Sequence, residues 1–285
     1  MVIAGTAWLL WPGPWGCGSG FDRDKFALVG AAKITNTAYH VRESGDYSAS
    51  SCRASLGSLD KSRKVRVRLQ PKGYDARKSS LYGNVEYELR LDGSIVSPRI
   101  ERTYLSSVIS NPATYGETSA KAVQATLEAQ PATTYELVVG FRKGIPWGDY
   151  AEFVKGNAAD GKLNAADVVF FSPFKAPSRG AGLLRSRVEP IGWDWSPEIR
   201  RLMGRAGDPD GNQLEEFRYW VSRLDRDADL MLRHFGLSLA DLRQRANQGL
   251  VYGYVDVASG KDQIEMLNSP MIAWVRIVNA DPSGK

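Results

Sequence analysis

The alternation of apolar and polar side chains is clearest near the C-terminus of the chain. Residues 251–257 alternate with a period of two, which is the pattern of a strand with one buried face. Residues 261–268 carry a single apolar edge and are followed by Pro270, and this pattern predicts a short helix. Residues 271–278 are again mainly apolar. The sequence therefore predicts a strand–helix–strand unit in this region.

The same order of elements is predicted once more, earlier in the chain. Residues 133–141 are rich in Thr, Tyr and Val, which favour strands. A short helix is expected over residues 147–155, and the apolar run 168–171 reads as a strand that Pro173 stops. We expect a second strand–helix–strand unit here.

Between the two units lies the longest helical pattern. Within residues 212–235 apolar side chains recur at spacings of three and four, which predicts one long amphipathic helix of about five turns. Gly236 ends this pattern, and Ser238 is placed to cap a further helix that runs to Gln248. Residues 172–211 are rich in Pro, Gly and Ser and predict loops.

The part of the chain before residue 130 predicts mainly strands. They are expected over residues 26–37, 63–70 and 85–91, and the Asp-Gly pair at 92–93 indicates a hairpin. A short helix over 119–129 ends at Pro131. The predicted fold class is thus α+β, with an apolar segment at 1–20, a β-rich region at 21–130 and a mixed α+β domain at 131–285.

Composition narrows the functional classes. Apolar residues make up 43% of the chain, which is ample for a packed core, and the formal net charge is +5. Because the Lys and Arg side chains are spread along the chain, we expect no nucleic-acid partner. The sequence contains no phosphate-binding loop and no dinucleotide fingerprint, so we expect no cofactor.

The N-terminus indicates contact with a membrane. Residues 1–20 contain no charged side chain, and Trp8, Trp11 and Trp15 lie where a membrane-interface belt would place them. A full span needs about 20 apolar residues, so we expect the outer half of a single transmembrane helix, with the bulk of the chain outside the cytoplasm. The alternative is a buried apolar strand. Outside the cytoplasm Cys17 and Cys52 could form a disulfide, a question that the sequence leaves open.

Chemical motifs are few. Residues 160–167 resemble the second half of a calcium loop but lack two side-chain ligands, and a simple turn explains the Asp-Gly pair equally well. His40 and His234 are the only histidines. We expect a structural role for His234 at the end of the long helix, His40 has no neighbouring motif, and we expect no metal site. Carboxylate pairs that meet only in the folded chain remain open, so an envelope hydrolase stays as an alternative.

Four aromatic residues are the candidate partner-binding side chains. Tyr252 and Tyr254 share one strand face by alternation, and exposed aromatic side chains often anchor interfaces. Trp193 and Trp195 flank Asp194 and could stack on a sugar. The alternative for both pairs is packing, with the long helix covering the tyrosines and the two indoles filling a groove.

Several stretches resemble one known family. They are Pro131–Tyr135 with the strand ending at Lys143, residues 167–171, residues 250–255 and Ser269–Ile272. In order and in several dipeptides they are similar to the extracytoplasmic C-terminal domain of bacterial sigma factor regulators, which are membrane-anchored anti-sigma factors.

The resemblance implies a sensor in signal transduction and transcription regulation rather than an enzyme. It also implies a sigma factor as partner, through a cytoplasmic segment that precedes the membrane helix and is absent from this chain. The alternative function is a cell-envelope binding module for a sugar or a peptide.

Overall fold

The computed structural model describes residues 18–43, 63–72, 83–90, 94–112, 119–157, 167–174, 190–194, 203 and 212–282. Within these ranges the chain forms helices and two antiparallel sheets, which confirms the α+β class. The helices are α1 (Gly18–Thr35), α2 (Tyr104–Ser110), α3 (Ala120–Ala129), α4 (Trp147–Asn157), α5 (Gln213–Ser222), α6 (Ala228–His234), α7 (Leu239–Gln248) and α8 (Gly260–Leu267). The strands are β1 (Tyr39–Glu43), β2 (Arg63–Pro71), β3 (Gly83–Leu89), β4 (Ile95–Val96), β5 (Thr134–Pro146), β6 (Val168–Phe170), β7 (Gly192–Asp194), β8 (Leu250–Ser259) and β9 (Ile272–Asp281).

The larger sheet is built from two interleaved units. Its strand order is β7-β6-β8-β5-β9, and every neighbouring pair is antiparallel. The unit β5–α4–β6 has β8 between its strands, and the unit β8–α8–β9 has β5 between its strands. Two split units arranged in this way form a ferredoxin-like core. Both predicted strand–helix–strand units are confirmed, and β7 with α5 to α7 lies in an insertion between β6 and β8.

The smaller sheet is a meander with the order β1-β2-β3-β4. The strand predicted over residues 63–70 is confirmed as β2, in which the apolar side chains are buried and the basic ones are exposed, as in a sheet with one face in water. The strands β3 and β4 pair as the predicted hairpin, although the Asp92-Gly93 turn lies outside the described residues.

The strand predicted over residues 26–37 is wrong, because most of this stretch belongs to α1. At its C-terminal end Thr35 Oγ1 donates to the carbonyl of Ala31 at 2.7 Å, and Asn36 Nδ2 donates to that of Ala32 at 2.7 Å. The buried face repeats at helical spacing through Ala27, Leu28, Ala31 and Ala32. The described residues of the region 21–130 therefore include the helices α1, α2 and α3 besides the smaller sheet.

The single long helix predicted over residues 212–235 is also wrong. The structure divides it into α5 and α6, separated by residues 223–227. Asp225 Oδ1 accepts from the backbone N of Asp227 at 3.1 Å and of Ala228 at 3.2 Å, and such a turn competes with the helix. Leu224 in the break remains buried, so the apolar stripe continues through it.

One buried core joins residues on both sides of position 130. Helix α3 packs against α8 and β9, and α1 packs against β7 and α6. None of the helices in the described ranges combines the length and the apolar character needed to cross a bilayer. Residues 1–17 of the apolar segment predicted at 1–20, both cysteines and residues 160–166 of the calcium-like loop lie outside the described residues.

Candidate functional site

The most unusual chemistry in the structure surrounds Asp194, the last residue of β7. Its Oδ1 lies 2.7 Å from Lys33 Nζ, and its Oδ2 lies 3.0 Å from Lys72 Nζ and 3.4 Å from His40 Nδ1. These four side chains, which we term the Asp194 cluster, come from β7, α1, β1 and the residue that follows β2. One carboxylate therefore joins four elements from distant parts of the chain.

Local backbone structure brings these elements together. The chain leaves α1 just after Lys33 and enters β1, and the backbone N of Lys72 donates to the carbonyl of Ala38 at 2.9 Å. Strand β7 comes close to this connection at Gly192, where a Cβ atom would lie 2.6 Å from Thr37 Cγ2. A side chain at position 192 would therefore hold β7 away from the lysines.

The charges of the Asp194 cluster are almost entirely removed from water. The side chains of Asp194, Lys33 and Lys72 are 7%, 8% and 1% exposed, whereas that of His40 is 33% exposed. Burial alone raises the pKa of Asp194, but the charges of Lys33 and Lys72 and the hydrogen bond from His40 outweigh it and hold this pKa far below its ordinary value. Asp194 is therefore ionised, and its charge is compensated locally.

Trp193, the neighbour of Asp194, points to the opposite face of β7. It is fully buried, and its Nε1 donates to Glu216 Oε2 of α5 at 3.1 Å. Its ring lies 5.7 Å from that of Trp220, and Lys33 Nζ lies 5.0 Å from its centroid. Trp193 is thus a packing residue, as the alternative interpretation held, and cannot stack on a sugar from solution. Trp195 lies outside the described residues.

The two tyrosines have different environments. Tyr254 is buried, and its ring centroid lies 5.8 Å from that of Phe141 and 5.9 Å from that of Tyr150. Helix α4 covers it, not the predicted long helix. Tyr252 is half-buried and lies against Gly144. The structure therefore does not present Tyr254 and Trp193 as a contact surface, which corrects the sequence-based hypothesis for these two residues.

The Asp194 cluster has the properties of a structural connection rather than of a reaction centre. Lys72 and Asp194 are too deeply buried to touch a dissolved molecule, and only His40 reaches the surface. What the cluster does is fix α1 and the small sheet to the insertion strand β7. Removing the charge of Asp194 would leave the two buried lysines without a counter-charge in a medium that solvates them poorly.

Sequence patterns did not reveal this cluster. Lys33 and Lys72 are separated from Asp194 by more than a hundred residues and belong to no motif. The one available signal was Asp194 itself, a charged residue between two tryptophans, because a carboxylate in so apolar a setting requires a cation.

Comparisons with known proteins identify no relative of this chain. No family model, no curated protein and no solved structure matches it. Within the part of the chain that the structure describes, no group of three or more His, Cys, Asp or Glu side chains could hold a metal ion.

Proposed function

We propose that this chain is the extracytoplasmic sensory domain of a membrane-anchored, non-enzymatic regulator of the anti-sigma type. The observation that carries this proposal is the position of α1. The helix begins at Gly18, within the apolar segment at residues 1–20, and is attached to the core between Arg23 and Lys33. It is the element through which a change in the domain would reach the membrane.

Three kinds of contact attach α1 to the insertion. Near its start, Arg23 NH1 lies 2.7 Å from Asp225 Oδ2. In the middle, Trp220 Nε1 donates to the carbonyl of Phe26 at 3.3 Å. Near its end, Lys33 joins the Asp194 cluster. The first contact is exposed and contributes little to stability. The other two are buried, and they set the position of the helix.

Because α1 is attached in this way, a displacement of the insertion would also displace α1. Packed interfaces tend to switch between discrete arrangements rather than deform continuously. A ligand or partner that binds one arrangement of the insertion better would shift its population, and α1 would move with it. The proposed partner on the other side of the membrane is a sigma factor, bound by a segment outside residues 1–285, as the family resemblance implies.

Deleting the gene in its source organism tests this function. We expect higher transcription of a group of genes that share one promoter sequence, because a released sigma factor would become active. A copy of the gene supplied in trans should restore the original level, and its product should fractionate with the membrane. Unchanged transcription, or a product found wholly in the cytoplasm, would contradict the proposal.

A further inference from the structure

A second buried aspartate, Asp256 of β8, has an environment opposite to that of Asp194. It is 9% exposed and lies opposite Leu137 of β5. By strand alternation it shares a face with Tyr254, and this is the face that α4 and α8 cover. Its carboxyl group hydrogen-bonds to the side chain of Gln263 in α8 and to the backbone N of Val257.

The charged side chains described near Asp256 are acidic. Among the described residues no Lys, Arg or His forms an ion pair with it, and its charged neighbours are the acids Asp167, which precedes β6, and Asp262 of α8. The other titratable groups that face it are Tyr150 of α4 and Tyr254 of β8. A negative charge at Asp256 therefore meets apolar surroundings and two further carboxylates.

Burial raises the pKa of Asp256 to about 6, and the charges of Asp167 and Asp262 act in the same direction, against the hydrogen bond from Gln263. A buried carboxyl group without a cation is more stable neutral than ionised. Asp194 has two lysine Nζ atoms within 3.0 Å of its carboxylate oxygens, whereas the ion pairs of the described residues include none at the buried Asp256.

Helix α8 is the element whose packing would be affected most by ionisation of Asp256. Gln263 is fully buried, and its Nε2 donates to the carbonyl of Tyr135 at 3.2 Å. Its Oε1 and the hydroxyl of Tyr150 are buried without a hydrogen-bond partner among the described atoms. Water drawn in by an ionised Asp256 would find these two groups to bind, and buried water is stable where several polar groups surround it.

We propose that Asp256 is a proton-binding site that controls how α8 packs on the sheet. The neutral carboxyl group keeps α8 closed against β8, and the ionised group admits water and loosens the helix. The proposal does not depend on where in the cell the chain resides. In a domain outside the cytoplasm, however, it would make the packing of α8 responsive to the pH of the surroundings.

Ionisation of Asp256 should lower the stability of the folded chain as pH rises. Because the folded state binds the proton more tightly than the unfolded state, stability falls as pH rises from the ordinary value of 3.8 through about 6. Above that range the group is ionised in both states and the loss is complete.

Hydrogen exchange of the full chain at pH 5.0 and 7.5 tests the proposal, after correction for the intrinsic pH dependence of exchange. We expect the opening of residues 260–267 to increase about tenfold between the two pH values in the wild type, because a folded pKa of about 6 leaves Asp256 largely protonated at pH 5.0 and ionised at pH 7.5. The increase should vanish in Asp256→Asn. It should persist in Glu265→Gln, which removes an exposed carboxylate from the same helix. Equal pH dependence in the wild type and Asp256→Asn would overturn the proposal.

If Asp256→Asn fails to fold, a ¹³C NMR titration of the Asp256 carboxyl group still tests the proposal. It is measured on the wild type and needs no variant to be stable. A midpoint well above 3.8 for Asp256 supports the proposal, and a midpoint at that ordinary value refutes it.

Discussion

At the scale of single residues, two buried aspartates show that burial alone does not determine the charge of a carboxyl group. Burial raises the pKa of both side chains, yet the net shifts have opposite signs. The difference lies in the neighbours, because Lys33 and Lys72 stabilise the anion at Asp194 and acids destabilise it at Asp256. Asp194 therefore stays ionised, whereas Asp256 can bind and release a proton.

The Asp194 cluster predicts a large effect of a small substitution. Asp194→Asn keeps the shape of the side chain but leaves two buried lysines uncompensated, so the free energy of unfolding should fall by about 3–5 kcal/mol. Urea denaturation at pH 7 measures this loss. Because the pKa of Asp194 is depressed, its contribution is present above its unfolded pKa and is lost as pH falls below it. The acid-induced loss of stability should therefore be smaller in the variant.

Glu86→Gln is the matched control for this substitution. Glu86 also pairs with two cations, Lys64 at 2.9 Å and Arg66 at 3.3 Å, but its side chain is 36% exposed. Water screens these pairs, so the loss should stay below about 1 kcal/mol. Equal losses in Asp194→Asn and Glu86→Gln would show that the Asp194 cluster is not the stabilising connection described above.

At the scale of elements, the packing of α1 on α5 depends on the absence of a side chain at Gly30. A Cβ atom at this position would overlap the indole ring of Trp220, which is fully buried and cannot move aside. Helix propensity alone disfavours glycine here, so its presence reflects the close approach of the two helices.

Gly30→Ala should destabilise the fold although alanine is the better helix former. We expect a loss of about 1–3 kcal/mol from overpacking, measured by thermal unfolding. Gly148→Ala in α4 is the control, because a Cβ atom there meets nothing within 4 Å. That variant should gain about 0.5–1 kcal/mol. A gain in both variants would mean that α1 does not pack tightly on Trp220.

At the scale of the whole molecule, the boundary predicted near residue 130 divides a core that is continuous in the structure. Helix α3 precedes it and packs on α8, and Lys33 and Lys72 precede it and compensate Asp194. The stability of either part is therefore expected to depend on the other.

A fragment of residues 131–285 tests this dependence. It would expose the face of α8 that α3 covers and would leave Asp194 without its lysines, so we expect no cooperative thermal transition by circular dichroism. The full chain should instead unfold in a single transition that far-ultraviolet dichroism and tryptophan fluorescence report at the same temperature. A fragment that unfolds cooperatively would establish residues 131–285 as an independent domain.

Sequence alone determined the elements whose signals are local. Period-two alternation located β2, β3 and β8, and the caps of α7 were predicted correctly at both ends: Ser238 accepts from the backbone N of Asp241, and Gly249 has a φ of 57°. These features depend on residues within a few positions of one another, so the local pattern contains the necessary information.

Tertiary structure decided the features that depend on distant residues. The stretch 26–37 that was predicted as a strand forms α1, whose alanines are buried and which packs against β7 and α6. The predicted long helix was interrupted where Asp225 binds the backbone and Arg23. The opposite charge states of Asp194 and Asp256 likewise follow from neighbours that the fold supplies. Electrostatic and packing energies depend on distance in space, and separation along the chain does not reveal that distance.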